Sequence, residues 1–277
     1  MAVSNRRARR YHHAFSSNPP PVRLIASNMM NQHTSVDPDE VAIYERLSST
    51  WWDSEGPLWP LHRMNALRVD YIVDRINREF GRTSSDTLPL HGLRILDIGC
   101  GGGILSEAVA RLGGTVHGVD VVAKNIGVAR LHAEGQGLQI RYETASAEIL
   151  AGRGEQYDVV LNMEVVEHVA ELALFLDACM RVVRPGGLMF IATINRTLAS
   201  WIGAIVMAEY VLRWLPRGIH RWSRFPTPLE LENHLNSGRM KVVDRSGVAV
   251  NPLNWHFRLS RYMGINYIIT ARKDAAS

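Results

Sequence analysis

The chain has 277 residues, 46% of them hydrophobic, and a formal net charge of +4 at pH 7. This length suits one large α/β domain with extensions, and the composition is typical of a soluble globular protein. Five arginines and no acidic residue fall in residues 1–36, so the remaining chain carries a net charge of −1. The basic character therefore belongs to the N-terminal end, and we expect no nucleic-acid partner.

Residues 1–35 have the composition of a targeting segment. They are rich in arginine and serine, lack acidic residues and contain no apolar run as long as that of a secretory signal. This composition is typical of a mitochondrial transit peptide, and a disordered basic tail is the alternative. We predict a transit peptide over residues 1–35 and import of the protein into mitochondria.

Residues 36–92 are predicted to form an N-terminal helical cap. The first helix begins with Asp37 as N-cap and Pro38 at its first position, a combination that favours helix initiation. A second helix is predicted over residues 60–80, where apolar residues recur at helical spacing. A turn-rich stretch, residues 81–92, separates this cap from the main domain, residues 93–277.

The main domain alternates short β-rich runs with helical patterns, which predicts an α/β fold with a parallel sheet and helices on both faces. The strand candidates are residues 94–99, 115–120, 138–143, 157–162 and 188–194. The helix candidates between them are residues 104–112, 123–134 and 172–183. After a further helix at Pro228, two β-rich runs are predicted to close the sheet as a hairpin-like pair.

A glycine-rich loop follows the first strand and includes Gly99 and Gly101. Glycines let the backbone approach a ligand closely, and the helix after the loop presents free N–H groups. Asp120 ends the second strand, 21 residues after Gly99, where a carboxylate can accept hydrogen bonds from both ribose hydroxyls. This spacing fits NAD and S-adenosylmethionine equally, but the dinucleotide fingerprint requires Gly or Ala where this chain has Ile104.

Two later motifs favour S-adenosylmethionine. "QYDVVLN" and "VVRPGGLMFIAT" resemble the fourth and fifth strands of the S-adenosylmethionine-dependent methyltransferases, whose mostly parallel sheet has seven strands. Residues 51–72, 163–169 and 193–218 together resemble the ubiquinone-biosynthesis O-methyltransferases closely. This resemblance implies an enzyme that methylates polyprenyl catechols or quinols in bacteria and mitochondria.

The resemblance also implies four contacts to the cofactor. Arg68 would pair with the methionine carboxylate, since a guanidinium binds carboxylates in a bidentate manner. Gly99, with Gly101 beside it, would allow close backbone approach, Asp120 would bind the ribose, and Met163 would offer an adaptable apolar surface. For Arg68 alone, a solvated charge on a helix face is the alternative.

The stretch "NMEVVEHV" contains three possible metal ligands: Glu164, Glu167 and His168. If a helix begins after Asn162, all three share one face, and this largely oxygen donor set suits Mg²⁺. Acidic residues that stabilise the first turn of a helix without a metal are the alternative. The family is described as having such a site. We expect the ion to lower the pKa of a catechol hydroxyl, with Glu164 and His168 as catalytic residues. His168 as a direct general base is the alternative.

Residues 198–225 are predicted to be a helical insertion after the fifth strand. Their apolar part is too short to span a bilayer, and arginines and tryptophans follow it, which favours an interfacial helix that docks on the membrane and admits the polyprenyl tail. A buried helix that covers the active site is the alternative.

Taken together, we expect an S-adenosylmethionine-dependent O-methyltransferase of ubiquinone biosynthesis, with Mg²⁺ as a further cofactor. It would lie on the matrix side of the inner mitochondrial membrane as a peripheral protein, in a complex with other proteins of the pathway. A methyltransferase for another lipophilic phenol is the first alternative. A non-catalytic lipid-binding component is the second, although the intact glycine loop and Asp120 argue against it.

Overall fold

The computed structural model describes residues 34–82, 87–200, 222–251 and 254–275, and a compact unit spans Ser35–Ser277. Its N-terminal part consists of two helices, α1 (Pro38–Leu47) and α2 (Trp59–Phe80). The Asp37 side chain accepts a hydrogen bond from the Asp39 backbone N–H, 2.9 Å away, and caps α1. Both predicted cap helices are therefore confirmed. The predicted transit peptide lies outside the described residues, apart from its last two positions.

Among the described residues, the main domain adds five helices of six or more residues to those of the cap. They are α3 (Ile104–Arg111), α4 (Ala123–Gly135), α5 (Ala147–Gly152), α6 (Leu172–Val182) and α7 (Pro228–Ser237). Four were predicted. The fifth, α5, has only six residues, too few for a helical periodicity to stand out in the sequence.

Eight strands form one sheet in the described residues, in the order β3-β2-β1-β4-β5-β8-β6-β7. They are β1 (Arg94–Ile98), β2 (Thr115–Asp120), β3 (Arg141–Thr144), β4 (Tyr157–Met163), β5 (Val183–Ile194), β6 (Met240–Asn251), β7 (His256–Ser260) and β8 (Asn266–Lys273). Strands β1 to β5 pair in parallel, whereas β8, β6 and β7 join antiparallel. The mostly parallel α/β sheet is confirmed, but the expected number of seven strands was one too low, because β7 extends the sheet beyond β6.

The sheet is covered on both faces, which explains why its central strands are almost continuously apolar. On one face, Ile72 of α2, Val109 of α3 and Leu161 of β4 belong to one buried cluster. On the other, Leu176 of α6 and Leu231 of α7 belong to a second buried cluster. The predicted arrangement of helices on both faces is confirmed. No described helix is long and apolar enough to cross a membrane.

Polar contacts fix α2 to the antiparallel end of the sheet. The Tyr71 hydroxyl donates to Asp244 Oδ2 at 2.7 Å and lies 2.8 Å from Thr270 Oγ1. Arg75 forms an ion pair with the same Asp244 carboxylate at 3.0 Å. A buried hydroxyl must keep such partners to offset its loss of water, so these contacts define the position of α2 on the sheet.

The Leu161→Ala variant should lose about 3 kcal/mol of unfolding free energy, because a fully buried side chain leaves a cavity in a packed core. Leu161 is completely buried, whereas Leu131 on α4 is 72% exposed and provides a matched control. Leu131→Ala should change stability by less than about 0.5 kcal/mol. Urea denaturation followed by circular dichroism measures both, and equal losses would contradict the packing of β4 described above.

Candidate active site

A pocket of about 550 Å³ opens at the carboxyl ends of the parallel strands, the edge at which open α/β sheets bind their ligands. Residues of the two cap helices and of the β6–β7 hairpin also line it. The predicted site residues that line this pocket are Arg68, Gly99, Asp120, Met163, Glu164, Glu167 and His168. Gly101 does not line it but belongs to the same glycine loop.

The glycine loop is tightly covered by an aromatic ring of the cap. Gly101 has a φ of +54°, and a Cβ atom there would lie 2.2 Å from the ring of Trp51. The Trp51 indole N–H donates to Asn125 Oδ1 at 2.8 Å, which fixes the ring over the loop. Only glycine combines this backbone conformation with such a close approach. Trp51 and Asn125 were missed as site residues, although Trp51 lies in a motif that carried the family resemblance.

Asp120 connects the loop to the second strand. Its Oδ2 accepts the Gly101 N–H at 2.9 Å, and its Oδ1 accepts the Val122 N–H at 2.7 Å. Burial raises the pKa of this carboxyl, while the same backbone N–H groups act to lower it. Asp120 therefore holds the loop in place as well as lining the pocket. Its predicted contact with a ribose stays a prediction.

A second buried carboxyl, Asp97 at the end of β1, was not predicted as a site residue. It lines the pocket and accepts a hydrogen bond from the Ser106 hydroxyl at 2.6 Å. Burial raises the pKa of Asp97 to about 7, with a further contribution from the negative charge of Asp120. The signal that could have identified it is an acidic residue within the predicted apolar strand, two residues before the glycine loop begins at Gly99.

The segment after β4 departs from the prediction. The expected helix after Asn162 is wrong: β4 continues to Met163, a turn follows, and α6 begins only at Leu172. Glu164 has a φ of +59°, a conformation that is costly for a side chain of this size and that is often found at functional sites. The argument that three ligands share one helix face therefore fails.

Glu164 is paired with the residue predicted to bind the methionine carboxylate. Its Oε1 accepts a hydrogen bond from the Arg68 guanidinium in a largely buried ion pair. Asn266 of β8 donates to the same oxygen at 3.3 Å. A guanidinium has five N–H donors, so this pairing leaves Arg68 able to bind a second carboxylate, and the predicted contact with the cofactor stays a prediction.

Glu167 lies deeper, with only 3% of its surface exposed. The Thr193 hydroxyl donates to its Oε2 at 2.8 Å. Burial raises the pKa of Glu167 well above its usual range, and the nearby charge of Glu164 raises it further. The two glutamates are therefore a closely spaced carboxyl pair at the pocket wall.

His168 makes contacts with the first cap helix instead. Its Nδ1 lies 3.0 Å from Glu40 Oε2, and its Nε2 lies 3.1 Å from the Tyr44 hydroxyl. The Tyr44 ring packs edge-on against the imidazole, with 5.4 Å between the ring centroids. Glu40 and Tyr44 were missed because their link to His168 spans more than 120 residues of sequence.

Among the described residues, no group of three or more His, Cys, Asp or Glu side chains could hold a metal ion. The structure brings Glu164 and Glu167 together but turns His168 towards Glu40 and Tyr44. The assignment of a three-residue metal site thus stays a prediction, without the geometric support that the sequence suggested.

Comparison with known proteins agrees with this architecture. Residues 96–191 match the family model described as "Methyltransferase domain". A magnesium protoporphyrin IX methyltransferase from Synechocystis, solved with bound SAM, has a TM-score of 0.56 at 16% identity over 87% of this chain and 99% of that one. A SAM-dependent methyltransferase from Thermotoga maritima has a TM-score of 0.59 at 15% identity over 85% of this chain and 100% of that one. Fold and site together define an S-adenosylmethionine-dependent methyltransferase.

Relatives that match over nearly their whole length show to which family of methyltransferases the chain belongs. The ubiquinone biosynthesis O-methyltransferase of Sinorhizobium fredii is 50% identical over 240 residues, which cover 87% of this chain and 97% of that protein. The enzyme of the same name from Roseobacter denitrificans is 50% identical over 89% of this chain and all of that protein. The chain belongs to the ubiquinone biosynthesis O-methyltransferase family, as its sequence motifs predicted.

The Gly101→Ala variant should bind S-adenosylmethionine at least about tenfold more weakly, because the added Cβ strains the backbone and displaces Trp51. Gly127 on α4 is a matched control, since a Cβ there meets nothing within 4 Å. Gly127→Ala should leave the affinity unchanged. Isothermal titration calorimetry measures both, and normal affinity in Gly101→Ala would contradict the role of the Trp51 contact.

Because of Asp97, the free energy of unfolding should fall as the pH rises from about 4 to 7. With its folded pKa raised to about 7, the folded state binds a proton that the unfolded state has lost, so the slope from this group reaches about −1.4 kcal/mol per pH unit. Asp97→Asn removes this contribution, so its stability relative to the wild type should increase with pH across that window. Urea denaturation at pH 5 and 7 tests this, and a constant difference would contradict it.

Proposed function

We propose that the protein transfers the methyl group of S-adenosylmethionine to a catechol hydroxyl of polyprenyl-dihydroxybenzoate, of demethylubiquinol, or of both. The observation that carries the proposal is a single pocket that joins the glycine loop at Gly99, the carboxyl pair Glu164 and Glu167, and a long apolar wall. The name of the relatives, ubiquinone biosynthesis O-methyltransferase, supports a quinone-type substrate.

The reaction joins two bound molecules. A catechol oxygen attacks the methyl carbon, the bond from that carbon to sulfur breaks with its electrons remaining on sulfur, and S-adenosylhomocysteine leaves. The hydroxyl proton passes to a base. Because the sulfonium is already an activated donor, most of the acceleration comes from holding oxygen, carbon and sulfur in line.

The protein supplies fixed polar groups for the acceptor. Glu164 is held by Arg68 and Asn266, and Glu167 is held by Thr193, so their remaining oxygens can orient catechol hydroxyls before reaction. A hydroxyl that donates to a carboxylate becomes more nucleophilic. Glu164 is our first candidate for the catalytic proton acceptor.

His168 is the second candidate for this base. Glu40 lies against one ring nitrogen and Tyr44 against the other, so the imidazole is oriented at the pocket wall. An imidazole nitrogen is the commonest general base in enzymes.

The carboxyl pair also fits a divalent cation such as Mg²⁺, which prefers oxygen ligands. Glu164 raises the pKa of Glu167 through its charge, a repulsion that a cation would relieve. His168 would complete the predicted ligand set only by leaving Glu40 and Tyr44. When bound, the ion would lower the pKa of the catechol hydroxyl.

Purified protein should methylate a prenylated dihydroxybenzoate in the presence of S-adenosylmethionine. Chelator-treated protein should lose this activity and recover it with Mg²⁺. Glu164→Gln should lower kcat by at least about 100-fold, as expected for loss of a positioned acid–base group. Glu171→Gln, an exposed change nearby, is the control and should retain full activity.

Absence of methyl transfer to both catechol and quinol acceptors, with intact binding of S-adenosylmethionine, would overturn the proposed function. In that case the non-catalytic lipid-binding alternative would be supported. Transfer to unrelated lipophilic phenols only would favour the other alternative. Full activity of chelator-treated protein, together with an unimpaired Glu164→Gln variant, would refute only the metal assignment.

For the location, we propose the matrix side of the inner mitochondrial membrane, in a complex with other enzymes of the pathway. A polyprenyl substrate resides in a membrane, and residues 1–35 have the composition of a transit peptide. Residues 201–221, most of the predicted interfacial insertion, lie outside the described residues. The described positions that flank them, Leu198 and Trp222, are 71% and 40% exposed, which suits an apolar contact with lipid.

The wild-type protein should co-sediment with liposomes that contain anionic lipid. A variant with Trp201, Ile205 and Trp214 changed to serine should lose most of this binding, because interfacial attachment depends on buried apolar area. Its affinity for S-adenosylmethionine serves as the folding control. Equal sedimentation of the variant and the wild type would refute membrane docking through this insertion.

A further inference from the structure

The pocket has an apolar wall that the methyl-transfer chemistry does not use. Two segments form it: the start of α2 with the residues before it, and the hairpin of β6 and β7. The side chains concerned are Pro57, Leu58, Trp59, Leu61 and Met64 from the first segment and Val248, Val250, Trp255 and Phe257 from the second. An apolar cavity wall favours a ligand with hydrocarbon surface.

The register of the hairpin separates an apolar face from a polar one. Val248 lies opposite Leu259, and Val250 lies opposite Phe257, so these four side chains share one face of the ribbon. Val248, Val250 and Phe257 line the pocket. The alternate positions carry polar pairs such as Asn251 with His256, and we assign the apolar face to the pocket interior.

An aromatic contact joins the hairpin to the cap helix. The ring of Trp255 packs edge-on against that of Trp59, with 5.8 Å between the ring centroids. The backbone N–H of Trp255 donates to the Asn251 carbonyl oxygen at 2.8 Å, which fixes the end of the hairpin. The two tryptophans therefore link both walls of the apolar part of the pocket.

The apolar face of the hairpin begins directly beside Glu164 and Glu167. Val248 of β6 lies opposite Asn266 of β8, the residue whose side chain donates to Glu164. Two residues further along β6, about 7 Å away at the usual rise of a strand, Val250 is 40% exposed. The apolar face of the hairpin thus leads from the polar end of the pocket to the protein surface.

We propose that the apolar face of the β6–β7 hairpin, together with Trp59, binds the hydrocarbon tail of the acceptor substrate. The ring lies at Glu164 and Glu167, the first part of the tail lies along Val248, and the tail leaves the protein past Val250 and Phe257. This inference rests on the proposed function and assigns tail binding to the hairpin rather than to residues 198–225.

Steady-state kinetics with two acceptors test this assignment: a dihydroxybenzoate that bears a prenyl tail and the same ring without a tail. The wild type should have a lower KM for the tailed acceptor. Phe257→Ser should raise that KM by about 10- to 100-fold, since the apolar surface that the tail would cover is lost. The KM of the tailless ring and the Kd of S-adenosylmethionine should stay unchanged.

His256→Ala, on the polar face of the same strand, is the matched control and should behave like the wild type. If Phe257→Ser does not fold, Val250→Asn at the exposed edge provides the same test. An unchanged KM for the tailed acceptor, or an equal rise for both acceptors, overturns the assignment. If the wild-type protein methylates both acceptors with the same KM, only the tail site is refuted. If it methylates neither acceptor, the proposed function is refuted.

Discussion

The buried ion pair between Arg68 and Glu164 is the contact on which the site depends. It joins the cap helix α2 to the turn after β4, and both side chains are largely withdrawn from solvent. Breaking such a pair from one side leaves an uncompensated charge in a medium of low dielectric constant, at a cost of about 3 to 5 kcal/mol. Arg68 therefore fixes the left-handed turn at Glu164, and with it a carboxylate that lines the pocket.

The same helix positions the other parts of the pocket. Trp59 at its first turn packs against Trp255 of the hairpin, and Tyr71 and Arg75 further along bind Asp244 of β6. A helix rises about 1.5 Å per residue, so α2 is long enough to reach from the pocket to the middle of the antiparallel strands. One rigid element thus sets the distance between the polar and apolar parts of the site.

The sequence predicted the elements whose signals are local. Apolar runs located β1 to β5, and Asp37 with Pro38 located the start of α1. The conformation of Glu164 could not be predicted in this way, because its positive φ is stabilised by partners far along the chain, Arg68 and Asn266. Local spacing suggested a helix there, and tertiary contacts produced a turn.

The missed strand and the missed site residues have a similar cause. Strand β7 has the sequence "HFRLS", in which exposed positions dominate, and only its pairing with β6 makes it a strand. Asp97 and Trp51 acquire their roles through burial against the glycine loop. Propensity and periodicity describe neighbours in sequence, whereas these properties arise from neighbours in space.

Three buried acidic side chains, Asp97, Asp120 and Glu167, and the partly buried Glu164 line a pocket that is also lined by Arg68. Burial raises the pKa of Asp97, Asp120 and Glu167 and so disfavours their charged forms, whereas a cation bound nearby would favour those forms. S-adenosylmethionine bound in this pocket would bring such a cation, its sulfonium, and methyl transfer would remove that charge. An acidic pocket should therefore hold the charged donor more tightly than the neutral product, which favours exchange of S-adenosylhomocysteine for a new donor after each turnover.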